Sequence, residues 1–155
     1  MHRLLIPLAA ILFLAACGNQ SADEPQDTED TAAAPEAVLV WQATLNDSTG
    51  LLEMKQVFSE GADLSSASAI IGSINQQYPE IKLEFVRSSN DTVFLKIQDA
   101  HYLTQQMGSS GSTMYVAGLV YNLTSLPGTG FVHLDFTPGD HAQPGTYSRE
   151  SFVNQ

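Results

Sequence analysis

Apolar and polar positions along the chain divide it into short strands and helical stretches. VLVWQATL (38–45) is β-branched and aromatic, the turn-forming cluster NDSTG follows, and in LLEMKQVF (51–58) Leu52, Met54 and Phe58 fall on one face with Glu53, Lys55 and Val57 on the other. That pattern predicts a strand pair. SEGADLSSAS (59–68) supplies loop and N-cap residues, after which Ile70, Ile71, Ile74 and Tyr78 form an i, i+1, i+4, i+8 stripe closed by Pro79. This is the spacing of a helix of about twelve residues.

Ile81, Leu83 and Phe85 then alternate with Lys82, Glu84 and Val86, RSSND (87–91) turns the chain, and Val93, Leu95 and Ile97 alternate with Phe94 and Lys96. A second hairpin is expected. Asp99 is placed to cap a short helical segment, AHYLTQQM, which Gly108 ends. SSGS reads as a break, and TMYVAGLVYNLTSL (113–126) as a longer helix, apolar on most faces and so covered on more than one side. PGTG stops that helix. FVHLDF (131–136) is a last strand, with Val132, Leu134 and Phe136 facing the core and His133 and Asp135 facing away. The remaining residues, 137–155, are turn-rich with little periodicity. The order ββαββααβ predicts a single α+β domain over 38–155, a small mixed β-sheet covered by helices on one face, with its core in 38–136.

The N-terminal part follows other rules. In MHRLLIPLAAILFLAAC, Arg3 precedes an apolar run from Leu4 to Leu14 that is too short for a membrane span, which needs roughly twenty residues. A secretory signal peptide over 1–16 is expected. LAAC, Leu14 to Cys17, resembles the lipobox of bacterial lipoproteins, which implies lipidation of Cys17 and anchoring to a membrane on the extracytoplasmic, periplasmic side. Cys17 is the only cysteine, so the chain forms no internal disulfide. The rest of 17–37 carries six carboxylates and no basic or aromatic residue, the composition of a disordered acidic tether. The whole chain has net charge −11, and the domain from Val38 onward has five basic and eleven acidic residues, net −6. That balance argues against nucleic acid and against electrostatic adhesion to anionic lipid.

Candidate chemistry is sparse. His133 and Asp135 share a strand face and Asp140 and His141 follow within a turn, so a His/Asp metal or hydrolytic grouping is one reading. No nucleophile elbow or HExxH accompanies it, and strand alternation already accounts for polar residues on that face. The favoured reading has no catalytic residue, no metal and no cofactor, and leaves His133 and Asp135 as candidate partner-facing residues. His101 reads as a first-turn helix residue. Trp41 is the single tryptophan; core placement is favoured, with a partner-facing position as the alternative. Asn46, Asn90 and Asn122 begin Asn-x-Ser/Thr triplets that read as chance beside a lipobox. GSSGS lacks the lysine of a phosphate loop.

The stretch DTVFLKIQDAHYLTQQMGSSGSTMYVAGLVYNLTSLPGTGFVHLDF (91–136) resembles the GerMN domain of spore-germination lipoproteins. Its most specific phrase is Asn122-Leu123-Thr124-Ser125-Leu126-Pro127-Gly128, a helix end feeding a valine-rich strand. The sequence departs from the family at Lys96-Ile97-Gln98 and in the tail after Phe136. The resemblance implies an extracytoplasmic, lipid-anchored module similar in fold to the ring-building motifs of envelope complexes. Such a module is non-catalytic and binds an envelope protein or further copies of itself. Two other functions stay open: a small metal-dependent hydrolase using the His/Asp residues, and a periplasmic ligand-binding module using the surface around Trp41.

Overall fold

A computed structural model describes residues 39–57 and 66–153. The expected signal peptide, Cys17, the tether, Phe58 and the loop that follows it lie outside the described residues.

Strands β1 (Trp41–Leu45) and β2 (Leu52–Gln56) pair antiparallel, from Trp41 opposite Gln56 to Leu45 opposite Leu52. Asn46 builds their turn: its Oδ1 accepts from Ser48 N (2.9 Å) and Thr49 N (3.0 Å), and Gly50 takes the left-handed φ of 70° that brings the chain back. Leu52 and Met54 share the half-buried face, as their alternation requires. This hairpin is a sheet of its own, separate from the four later strands.

Helix α1 spans Ala67–Gln77. Ser66 caps it, its Oγ accepting from Ala69 N at 3.2 Å, and Pro79 follows its last turn. Ile70, Ile71 and Ile74 are its buried face. Asn75 ties α1 to the next strand as a backbone amide would: Nδ2 donates to Leu83 O and Oδ1 accepts from Leu83 N, both at 2.9 Å.

Strands β3 (Leu83–Ser89) and β4 (Thr92–Ile97) form the second hairpin, antiparallel, turning at Asn90 with φ 54°. The strand therefore runs through most of the segment expected to turn. A bulge between Phe85 and Arg87 breaks the alternation. Ile81 and Leu83 are buried as expected, but Phe85 and Val86 are 44% and 55% exposed.

After Asp99, whose Oδ1 accepts from His101 N (3.0 Å), a π-helical turn, Tyr102–Gln106, leads directly into helix α2, Gly108–Leu123. The expected break is absent: GSSGS forms the first turn and more of α2. Gly108, with φ +71°, is the corner, and buried Ser112 donates to Leu103 O, so the two helical pieces are bonded rather than separated. Strand β5 (Phe131–Asp135) lies parallel to β4, and β6 (Gly145–Tyr147) antiparallel to β5, giving the order β3-β4-β5-β6. The tail is thus part of the sheet. It ends in a 3-10 helix, Arg149–Phe152, opened by a reciprocal Ser148–Ser151 capping box.

The core is the helix-facing side of the four-stranded sheet: Leu83, Val93, Leu95, Ile97, Val132 and Leu134 from the strands, with Phe136 just after β5, meet the isoleucines of α1, and Val116, Leu119, Val120 and Leu123 of α2. The molecule is a single α+β domain. No helix among the described residues is long and apolar enough to cross a membrane.

Candidate functional sites

The outer face of the sheet carries one organised row. Register places Arg87, Phe94, His133 and Thr146 side by side across all four strands. The Arg87 guanidinium lies 3.6 Å from the Phe94 ring centroid, the Phe94 and His133 rings are 5.3 Å apart, and His133 Nδ1 meets Thr146 Oγ1 at 2.8 Å. Each contact orients the next, so four side chains of differing chemistry share one alignment. The neighbouring row is charged: Glu84, Lys96 and Asp135 occupy successive strands, and Gln98 Nε2 donates to the Glu84 carboxylate at 3.0 and 3.1 Å. On the other side of the first row Phe131, opposite Thr92, is 39% exposed. His133 and Asp135 therefore face away from the core, where alternation puts them.

Asp140 and His141 lie elsewhere. His141 Nδ1 meets Ser109 Oγ at 3.1 Å, at the start of α2, and His141 N donates to Thr104 O of the π-helical turn at 3.0 Å. With the Gln105 amide turned so that its nitrogen faces the carboxylate, it donates to Asp140 Oδ2 (3.2 Å) and accepts from Asp140 N (3.3 Å). Asp140 and His141 border a shallow depression with Ser112 and Phe152. The four His/Asp residues are split between the sheet face and the helix side, and among the described residues no three His, Cys, Asp or Glu side chains form a group that could hold a metal ion. His101 is an exposed residue just ahead of the π-helical turn.

A second organised region joins the β1–β2 hairpin to α2, through Asn122. This side chain is wholly buried in the last turn of an otherwise apolar helix. Its Oδ1 accepts from Val40 N (2.9 Å) and Trp41 N (3.0 Å), while its Nδ2 donates to Trp41 O (2.8 Å) and Gly118 O (2.7 Å). All of its amide capacity is used, two bonds on each atom. Burial also closes Asn122 to glycosylation.

Trp41 is half-buried beside it. Its ring meets Tyr121 edge-on at 5.4 Å, its Nε1 donates to Ser125 Oγ at 3.0 Å, and the Arg149 guanidinium lies 5.2 Å from its centroid. Arg149 also donates from Nε to Thr124 Oγ1 (2.8 Å) and from Nη2 to Tyr121 O and Ser125 Oγ (3.0 Å each). A cation there satisfies the carbonyl end of α2 and complements the helix dipole.

Between β1, α1 and α2 lies a cleft of about 210 Å³, walled by Trp41, Val57, Ile74, Tyr78, Met114 and Tyr115 among others. Tyr78 and Tyr115 meet edge to face, 5.0 Å between centroids and 89° between planes. Burial pushes both hydroxyls above their ordinary value, and for Tyr115 the nearby Tyr78 adds to the effect. Both stay protonated, as donors, throughout the physiological range. Sequence reading singled out Trp41 here but missed Asn122, Arg149 and Tyr115. The available signal was an asparagine and two tyrosines in a helix otherwise apolar on most faces, where each polar atom needs a stated partner.

Comparison of the chain with protein-family models, with curated proteins and with solved structures finds no match.

Proposed function

We propose that this chain is an exported protein, anchored through lipid on Cys17 and held off the membrane by its acidic tether. Its GerMN-like domain is a non-catalytic module that binds an envelope protein. The observation that supports the binding role best is the outer face of the four-stranded sheet. It presents aligned arginine, aromatic and histidine side chains, Arg87, Phe94 and His133, flanked by Phe131 and Asp135, on one sheet face. Arginine and aromatic residues are the types that carry most of the binding energy in protein interfaces. Each is already held by a neighbour, so little side-chain freedom is lost on binding.

A photo-crosslinking residue in place of His133 tests this in cells. A discrete crosslinked partner, absent when the same residue replaces Asp47 at the hairpin turn, is the expected result. Crosslinking to the chain itself identifies further copies as the partner, and no crosslink from the sheet face overturns the reading. Anchoring is tested separately: palmitate labels the wild type and not Cys17→Ser.

A further inference from the structure

We infer that the cleft between β1, α1 and α2 binds a neutral, ring-sized molecule carrying a hydrogen-bond acceptor, which the Tyr115 hydroxyl receives. The site is separate from the sheet face proposed for protein binding.

Three observations carry this. The first is size and lining. At about 210 Å³ the cleft exceeds the roughly 150 Å³ of an apolar cavity able to take up benzene, and it leaves room for a few further atoms. None of its lining residues is charged, in a chain with net charge −11. Gln42, Gln77 and the tyrosines supply neutral polar groups, and polar atoms make up more of the cleft surface than apolar ones, so the ligand it suits is neutral without being a pure hydrocarbon. A charged ligand would lose its hydration there without a counter-ion.

The second is the Tyr115 hydroxyl. Tyr115 is 2% exposed, and its hydroxyl is the one buried side-chain polar atom among the described residues with no hydrogen-bond partner. Other buried polar side chains are satisfied: Thr104 donates to Ala100 O, Ser112 to Leu103 O, and Asn122 makes four bonds. Phenylalanine would give the same ring packing without an orphaned donor, so the hydroxyl has a cost that folding alone does not recover.

The third is Tyr78. It is half-buried at the C-cap of α1 and stands edge-on to Tyr115 in the cleft wall. The Tyr115 hydroxyl is sealed from solvent as the wall stands, so on this assignment Tyr78, packed against its ring, moves aside to admit the acceptor. The donor is thus kept dry until an acceptor arrives, which strengthens the bond it then makes.

The test titrates acetophenone and α-methylstyrene into the ¹⁵N-labelled full chain. The two probes share a shape, and only the first has a carbonyl acceptor. Both are expected to shift the amides of Ala43, Met114 and Gly118, with acetophenone binding roughly fivefold to tenfold more tightly, the effect of one net hydrogen bond. Tyr115→Phe should remove that preference without lowering the midpoint of thermal unfolding. Gly118→Leu, whose Cβ enters open space, should fill the cleft and block both probes. No localised shifts, equal affinity of the two probes, or a preference that survives in Tyr115→Phe each overturns the assignment.

Discussion

The four-stranded sheet with its helices and the β1–β2 hairpin are held by different means. The first is sealed by some twenty mutually packed apolar side chains, drawn mainly from β3, β4, β5 and both helices. The hairpin contributes only partly buried residues, Leu52 and Met54, to that core, and it is keyed to α2 by the amide of Asn122 and by the contacts of Trp41. Apolar packing is distributed and loses stability gradually as it is trimmed. A polar key is concentrated, and one substitution, at Asn122, removes most of it. The proposed small-molecule cleft lies along this polar-keyed junction, where the structure has the least apolar redundancy.

The comparison can be broken at several strengths. Leu134→Ala, in the centre of the sheet core, should cost about 3 kcal/mol and lower hydrogen-exchange protection throughout the domain, hairpin included. Asn122→Ala strands the amides of Val40 and Trp41 and should cost about 2 kcal/mol. Its signature is local: exchange should accelerate in β1 and β2 while β4 and β5 keep their protection. Equal loss in both regions would show that the hairpin is not a separate unit. Arg149→Ala should cost about 1 kcal/mol, seen in urea unfolding, because it removes three hydrogen bonds at the end of α2 and a cation over Trp41.

The smallest effect is in pH dependence. The Tyr115 hydroxyl is held above its ordinary value of 10.0 by burial, so above that pH the unfolded chain loses its proton first. The unfolded state then binds fewer protons than the native state, and stability falls as pH rises above about 10. Below that pH the contribution is constant. Tyr115→Phe should flatten the alkaline limb of a stability-against-pH curve and leave the neutral range unchanged or slightly more stable.

Much of the sheet-and-helix region was legible because its residues face neighbours of opposite polarity at the expected periods. The Ile70, Ile71, Ile74 stripe, the Val93, Leu95, Ile97 alternation, and the outward placement of His133 and Asp135 all follow from period alone. Errors arose where tertiary bonds overrode local preference. GSSGS is poor helix sequence, yet Ser112 is buried and bonded to Leu103 O, and the surrounding packing carries the segment into α2. Phe85 stays in register with buried Leu95, as its alternation requires, yet is 44% exposed on the edge strand β3, and the bulge after it brings Arg87 opposite Phe94. Strand β6 is only three residues long and is recognisable by its pairing with β5, including the His133–Thr146 bond, rather than by any pattern of its own. The role of Asn122 was hidden for a related reason: its partners lie 81 and 82 positions earlier, beyond the reach of any local window.

The Asn122 clasp also has a mechanical side. It grips the backbone at Val40 and Trp41, where the chain enters β1, and Arg149, from the far end of the sequence, bonds to the same end of α2. A pull on the chain ahead of Val40 is therefore resisted by three hydrogen bonds to a single side chain. The hairpin can yield there as a fuse, paying out its strands while the sheet behind it stays intact.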